Sequence, residues 1–244
     1  MRKKWKSMIA DNMIKFAATK LGYGNPKGDF WFIGPEEGGS AATLQERINV
    51  WNELDSVEHF HDLKKFHLIF KNGTEGFFEG KVKLQKTWNG LIEVLFGIQG
   101  KENSLTAKKE YQSALLGTTN GETLLAELFP FASKALNDSE WMELFGESKK
   151  EYWDKYASQR IELITKQIEI YKPKFVVFYS VAFSSYWQQI INQVGGKKIV
   201  QNSSDTNVSI FRSTDTTFAI IAHPVAFSMN GDIKRKIGQT LANY

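Results

Sequence analysis

Two adjacent carboxylates, Glu36 and Glu37, follow a short apolar run and precede two glycines. The run, residues 30–33, stops at Gly34 and is typical of a buried strand. Ligands bind outside the carboxyl ends of the strands in an open α/β sheet, so this loop is a candidate site. Gly34 and Gly38 would let the backbone approach a ligand closely. Adjacent residues point in different directions, so we expect only one of the two carboxylates to face the ligand.

A second candidate loop, HPVAFSMNG, begins at His223 directly after another short apolar run. Imidazole titrates near neutrality and can act as an acid, a base or a neutral hydrogen-bond donor. We expect this loop and the loop with Glu36 and Glu37 to face each other across one pocket. The alternatives are a structural histidine and a solvated acidic pair at a helix N-terminus, where negative charge is favourable.

Glu127 lies inside the apolar run TLLAELFPF. A buried carboxylate is costly unless it is paired or hydrogen-bonded, so its position indicates that it faces a cavity. The alternative is that its side chain points to the outer side of the strand.

Histidines also occur near acidic residues earlier in the chain, at His59 and His61 with Asp55, Glu58 and Asp62. Their spacing matches no strong metal-binding template, and we interpret them as a solvated polar segment. We predict neither a metal nor a cofactor.

Apolar spacing predicts the elements that position these residues. Helices are expected at 8–21, 41–51, 84–96, 149–171, 184–194 and 233–241, with shorter ones at 108–116 and 137–145. Strands are expected at 30–33, 123–131, 175–179, 199–201, 208–211 and 218–222. Residues 59–83 are interpreted as a loop or small insertion. Alternating strands and helices favour an α/β fold with a mainly parallel sheet and helices on both faces.

Composition narrows the function classes. The chain has 244 residues, 42% of them hydrophobic, and no cysteine. A thiol nucleophile, a disulfide and a cysteine-ligated cluster are therefore excluded. No apolar run approaches the length that spans a bilayer, and the basic N-terminus does not resemble a signal peptide, so we expect a cytoplasmic protein without a membrane partner. A formal charge of +4 permits a polyanionic partner without requiring one.

Four segments, in this order, resemble the uracil-DNA glycosylase superfamily. They are GPEEG at 34–38, ELFPF at 127–131, KPKFVV at 172–177 and HPVAFS at 223–228. The resemblance extends over residues from about 30 to 230 and rests on the order and spacing of the segments together. It implies a three-layer α/β/α sandwich with a central, mainly parallel four-stranded sheet, in a single domain over residues 1–244.

The resemblance also implies cleavage of the N-glycosidic bond of a base that has been flipped out of DNA, at a cost of a few kcal/mol. Glu36 would stabilise the oxocarbenium-like transition state or orient water, and His223 would donate to the base oxygen. Phe227 would wedge into the vacated stack, and an aromatic side chain after Gly38 would stack on the base. Further base or substrate contacts are expected at Gly34, Glu37, Gly38, Glu127, Phe129, Ser180, Phe227 and Ser228.

The chain departs from the family pattern at two places. Glu127 stands where the family presents an asparagine, which both donates and accepts, whereas an ionised glutamate only accepts. Such a carboxylate would repel the uracil carbonyls and favour a base edge rich in donors. Val225 and Ala226 replace a Ser-Pro pair. A target base other than uracil, or loss of the glycosylase reaction, is therefore open.

Three functions remain in view. The first is a DNA glycosylase, expected as a monomer acting on DNA, single-stranded and damaged DNA included. The second is a non-catalytic module that binds nucleic acid or a protein, and the third is hydrolysis of a free nucleoside or nucleotide. A basic rim around the pocket would favour a polymer; the candidates for it are Lys4, Lys6, Arg47, Lys234 and Arg235.

Overall fold

A computed structural model describes residues 13, 15–54, 59–134, 141, 148–200 and 208–244. In these residues the chain forms one mixed sheet of eight strands, with helices between them. None of the helices in this part of the chain is long and apolar enough to cross a membrane.

The strands are short at the edges of the sheet and longest in its middle. They are β1 Gly22–Gly24, β2 Phe30–Gly38, β3 Phe60–His61, β4 Thr123–Ser133, β5 Phe175–Tyr179, β6 Lys197–Val200, β7 Ser209–Arg212 and β8 Thr217–Ile221. Their order across the sheet is β3-β1-β4-β2-β5-β8-β7-β6. The predicted α/β class is confirmed.

The four strands in the middle of the sheet, β4, β2, β5 and β8, run parallel to one another. The flanking strands make the sheet mixed, because β1 is antiparallel to β4 and β7 is antiparallel to both β6 and β8. The carboxyl ends of the four parallel strands therefore meet at one edge. This is the edge where an open α/β sheet places its ligand site.

Helices connect most of the strands. They are α1 Leu44–Glu53, α2 Leu63–Phe70, α3 Lys86–Gln99, α4 Leu105–Ala114, α5 Lys149–Tyr171, α6 Ser184–Gln193 and α7 Gly231–Leu241. Single 3-10 turns stand at Ala41–Thr43, Glu75–Phe77 and Val181–Phe183.

Local chemistry sets the bounds of α5, the longest helix. Ser148 and Glu151 form a capping box at its start, which satisfies free N–H groups of the first turn. The helix ends at Lys172, whose φ of 48° is left-handed, and Pro173 cannot continue the helix. The predicted bounds of α5 and of β5 are both confirmed.

Three regions differ from the sequence prediction. Residues 59–83 are not a loop but contain β3, α2 and a 3-10 turn. Residues 22–24, where no strand was predicted, form β1, because their backbone pairs with β4. Strands β2 and β4 extend beyond their predicted ends at residues 33 and 131, since they pair with each other as far as Gly38 and Ser133. Backbone pairing across the sheet therefore lengthens the strands beyond their apolar runs. Of the helix predicted at 8–21, residues 13 and 15–19 are helical, and residues 8–12 and 14 lie outside the described residues. Of the helix predicted at 137–145, only residue 141 is described.

Arg160 of α5 ties the amino-terminal segment to the end of β4. Its guanidinium is fully buried and donates to the carbonyl oxygens of Leu128 (2.7 Å), Glu127 (2.8 Å), Lys20 (2.7 Å) and Ala17 (3.2 Å). Burial lowers the pKa of Arg160 to about 10, so the group remains charged at neutral pH. Charge-assisted bonds to four carbonyls hold the backbone around Glu127 in place.

We expect Arg160→Met to lower the free energy of unfolding by about 3 kcal/mol, because it leaves buried carbonyl groups without donors. Urea denaturation of the purified protein measures this. Lys166→Met, on the exposed face of the same helix, is the control and should change stability by no more than about 0.5 kcal/mol. Equal stability of the two variants would contradict a structural role for Arg160.

Candidate functional site

A cavity of about 430 Å³ lies at the carboxyl ends of the four parallel strands. This volume is within the usual range for small-molecule sites. The cavity is lined by Pro35, Glu36, Glu37, Gly38, Arg47, His67, Thr74, Phe77, Gln85, Thr87, Trp88, Glu127, Ser133, Lys134, Tyr179, Ser180 and His223. The two loops singled out in the sequence therefore contribute to one cavity.

The predicted site residues divide into two groups. Six of them line the cavity: Glu36, Glu37, Gly38, Glu127, Ser180 and His223. The other four, which are not among the lining residues, are Gly34, Phe129, Phe227 and Ser228.

The carboxylate of Glu37 is the centre of a buried ion-pair network. It accepts from Lys20 Nζ at 2.6 Å, from Arg47 Nη1 at 2.6 Å and from the Tyr23 hydroxyl at 3.1 Å. Burial alone would raise its pKa, but Arg47 and Lys20 hold the pKa of Glu37 well below its usual range. Glu37 is therefore ionised, and its carboxylate serves to stabilise the fold by pairing with Lys20 and Arg47.

The carboxylate of Glu36 is turned toward α5. It accepts from Lys149 Nζ and from the indole N–H of Trp153, the latter at 2.7 Å. Burial raises the pKa of Glu36, and Lys149 opposes the rise. The two neighbouring carboxylates thus point to opposite sides of β2, as the alternation of a strand requires. Both residues line the cavity, and the expectation that only one of the two carboxylates faces the ligand stays a prediction.

Glu127, from β4, is nine-tenths buried where it lines the cavity. Its Oε1 accepts from the hydroxyl of Tyr179 at 3.3 Å, while Oε2 has no hydrogen-bond partner among the described residues. Burial, and then the negative charge of Glu37, raise the pKa of Glu127 to about 8. Glu127 is therefore protonated at neutral pH, in contrast to Glu37.

Gly34 makes the contact between Tyr179 and Glu127 possible. It pairs with Glu127 across the β2–β4 ladder, and a Cβ at this position would lie 2.2 Å from the Tyr179 ring. Only glycine leaves space for the Tyr179 ring at this position, so Gly34 allows that ring to contact Glu127 in the cavity wall.

Ser180, the residue that follows β5, has a strained backbone. Its φ of 91° and ψ of 98° are rare for a residue with a side chain. The conformation is held by hydrogen bonds from its N–H to the Ile221 carbonyl (3.1 Å) and from the Trp187 indole to its own carbonyl (3.0 Å). Strain of this kind costs about 1–3 kcal/mol and is concentrated at functional sites.

His223 is half-buried at the cavity wall, and its ring meets Tyr179 edge to face at 5.5 Å. The backbone N–H of Val225 donates to His223 Nδ1 at 3.4 Å. Burial lowers the pKa of His223, so the ring is neutral at pH 7. With Nδ1 acting as an acceptor, the ring proton is on Nε2, which becomes a hydrogen-bond donor.

The turn after His223 presents an apolar side chain to solvent. Ala226 N–H donates to the His223 carbonyl at 2.8 Å, and Phe227 at the tip is fully exposed. Ser228 is exposed beside it. Phe129, by contrast, is completely buried and packs on the Trp153 ring at 5.9 Å. Phe129 therefore belongs to the hydrophobic core, and base contact by it is not supported.

Sequence reasoning missed one wall of the cavity, because that wall comes from residues 59–83 and the start of α3. Phe77 and Trp88 pack edge to face at 5.6 Å there. His67 stands behind them, 5.5 Å from the Trp88 ring, and its Nε2 has no hydrogen-bond partner among the described residues. Burial lowers the pKa of His67 to about 4, so it is neutral. The high aromatic content of residues 59–83 was the sequence signal that could have indicated this wall.

The loop directly after Gly38, residues 39–46, contributes no residue to the cavity lining, so the expected stacking side chain is not among the lining residues from that loop. Among the lining residues the aromatic rings are those of Phe77, Trp88 and Tyr179, along with the two histidines. Aromatic rings beside lining residues that are mostly polar or charged suit a heterocycle that carries hydrogen-bonding groups.

Two of the five candidates for a basic rim are engaged in ion pairs. Arg47 is bound to Glu37, and Lys234 is buried against Glu93 at 2.8 Å. Lys4 and Lys6 lie outside the described residues. Those two pairs neutralise charges that the sequence left available, so they give no support for attraction of a phosphate backbone.

No known protein family matches the chain, and no curated protein matches it either. The chemistry of the site therefore rests on its own geometry.

We expect Glu37→Gln to lower the free energy of unfolding at pH 7 by about 3–5 kcal/mol, because it leaves Lys20 and Arg47 buried without their partner. The pKa of Glu37 is depressed in the folded state, so its contribution is present above about pH 4.5 and is lost as the pH falls below that value. The deficit of the variant should therefore shrink in acid.

Denaturant titrations of the wild type and of Glu37→Gln, at pH 7 and below about pH 4.5, measure the difference in the free energy of unfolding. Glu46→Gln, an exposed carboxylate on α1, is the matched control and should be near neutral. A deficit that stays constant in acid would show that Glu37 does not act through its charge.

Proposed function

We propose that this protein hydrolyses the N-glycosidic bond of a nucleobase that has been flipped out of DNA into the cavity. The observation that carries the proposal is the presence of Glu36, Glu127 and His223 around one aromatic-walled cavity at the carboxyl ends of the parallel strands. The uracil-DNA glycosylase resemblance of the four segments supports the same reading. The four parallel strands in the middle of the sheet agree with the fold that the resemblance implies.

Each group has a role in that reaction. The bond between the sugar C1′ and the base nitrogen breaks, and its electron pair leaves with the base. The oxygen of water adds to C1′, and the proton that the water releases ends on the departing base. The carboxylate of Glu36 stabilises the cationic sugar or orients the water. The Nε2–H of neutral His223 donates to the base oxygen on which negative charge develops. Phe77 and Trp88 offer stacking surfaces for the ring.

Phe227 supports a DNA substrate over a free nucleoside. It is fully exposed four residues after His223, on a turn that is hydrogen-bonded to His223. An exposed phenylalanine is unfavourable in water and serves no purpose in binding a free nucleoside. Beside a cavity that accepts an extruded base, it fills the gap left in the stack.

A second candidate function is a non-catalytic module that binds a base without cleaving it. The observation that favours it is the engagement of Glu36, whose two oxygens accept from Trp153 and Lys149. A carboxylate neutralised in this way is a weaker stabiliser of a cation and a weaker base. Both functions require the protein to bind the base, but only the glycosylase cleaves the N-glycosidic bond.

The deciding experiment uses end-labelled oligonucleotides that carry uracil, hypoxanthine or xanthine, in single- and double-stranded form, followed by alkali to break abasic sites. We expect strand breakage with at least one of these bases. Glu36→Gln and His223→Ala should each reduce the rate by about 100-fold or more.

Glu162→Gln, an exposed carboxylate on α5, is the control and should leave the rate unchanged. Binding of the same oligonucleotides without breakage would establish the binding module instead. Breakage that survives both site variants would assign the chemistry to other residues.

We expect Phe227→Ala to lose activity on a base in duplex DNA while keeping most of its activity on single-stranded DNA, because only the duplex requires extrusion. The ratio of the two rates under single-turnover conditions is the measurement. Ile170→Ala, an exposed apolar residue on α5, is the control and should leave that ratio unchanged. An equal loss on both substrates would mean that Phe227 does not act as a wedge.

A further inference from the structure

Glu127 places a buried polar atom without a hydrogen-bond partner among the described residues in the cavity wall. The residue is nine-tenths buried, Oε1 takes one hydrogen bond from Tyr179, and Oε2 has no hydrogen-bond partner among the described residues. A buried carboxyl oxygen without a partner is costly in either protonation state. Its position in the wall of a cavity indicates that a ligand supplies the missing partner.

The cations that could neutralise Glu127 are already engaged. Lys20 is bound to Glu37 at 2.6 Å, and the guanidinium of Arg160 is directed at carbonyl oxygens, including that of Glu127 itself. Glu37 and Glu36 disfavour ionisation of Glu127, whereas the charge of Lys20 favours it. Among the other titratable groups in the cavity wall, His67, His223 and Tyr179 are neutral at pH 7. Arg47 is bound to Glu37, and Lys134 is exposed.

The Tyr179 hydroxyl fixes where the acid proton of Glu127 resides. Burial raises the pKa of Tyr179 well above its usual range, so its hydroxyl stays protonated and donates to Oε1. Oε1 is then the acceptor end of the acid, and the proton is on Oε2. This oxygen becomes a donor, the role that an ionised carboxylate cannot perform.

We propose that Glu127 is a specificity-determining residue that donates from a neutral carboxylic acid to the carbonyl oxygen of a lactam ring in the cavity. The ligand class is a planar six-membered heterocycle with a C=O group, as in uracil, hypoxanthine or xanthine. The neutral acid offers a donor and an acceptor, as an asparagine amide does. The repulsion of carbonyls expected from an ionised Glu127 therefore does not arise. This inference rests on the proposed function for its ligand class, but its test does not require catalysis.

The test measures the affinity of 2-pyridone, a minimal lactam that stays neutral across the range used, by ligand-observed NMR between about pH 6 and pH 9.5. Wild-type affinity should be constant below the pKa of Glu127, about 8, and fall about tenfold per pH unit above it. Glu127→Gln keeps a donor and an acceptor without a titrating proton. It should bind as the wild type does near pH 6 and show no fall at higher pH.

Two further proteins isolate the effect. Glu127→Ala should bind weakly at every pH, and Glu162→Gln, an exposed carboxylate, should reproduce the wild-type profile. A direct reading of the acid comes from NMR of protein labelled with ¹³C at the glutamate carboxyl carbons. The resonance that is missing in Glu127→Gln should have the shift of a protonated acid at pH 6–7.

An ionised Glu127 near pH 6 would overturn the proposal, as would a wild-type affinity that does not change across the range or an absence of 2-pyridone binding. If no oligonucleotide is cleaved but the affinity follows Glu127, the glycosylase function fails and the lactam site stands. If oligonucleotides are cleaved but neither the cleavage rate nor the affinity for 2-pyridone responds to Glu127→Gln and to pH, the glycosylase function stands and the proposed role of Glu127 fails.

Discussion

The burial of three carboxylates at one edge of the sheet is the constraint on which the rest of the site depends. Glu36, Glu37 and Glu127 are brought together by the parallel pairing of β2 with β4, which sets Gly34 opposite Glu127. Removing a carboxylate from water is costly, so each must be paired, hydrogen-bonded or protonated. The structure uses a different solution for each of the three.

Glu37 is paired twice and remains ionised, and Glu36 is paired once and shares its other oxygen with an indole. Among the described residues, the Glu127 carboxyl group accepts a side-chain hydrogen bond from Tyr179 alone, while Lys20 and Arg47 are bound to Glu37. The ionised Glu37 then raises the proton affinity of Glu127 further. Burial is the larger cause of the raised pKa of Glu127, and the charge of Glu37 adds to it. An ion-pair network that stabilises the fold therefore also favours the protonated form of Glu127.

The edge of the sheet that holds the cavity combines backbone segments held by hydrogen bonds with an exposed aromatic side chain. Arg160 holds the backbone of β4 at Glu127, and two hydrogen bonds hold Ser180 in a strained conformation. Phe227, on the turn after His223, is left fully exposed. Under the proposed function, this cavity would bind the flipped base, and the exposed ring would fill the gap that the base leaves in the stack.

The sequence by itself determined the α/β class, the bounds of α5 and β5, and the site candidates at Glu36, Glu127 and His223. These follow from local signals: apolar period, helix caps, and carboxylates at strand ends. The wall formed by His67, Phe77 and Trp88 required the tertiary structure, because segment 59–83 has weak periodicity and folds against its neighbours. The charge states of the carboxylates were also decided there, since a pKa depends on burial and on partners far away in the sequence, such as Lys20 for Glu37 and Tyr179 for Glu127.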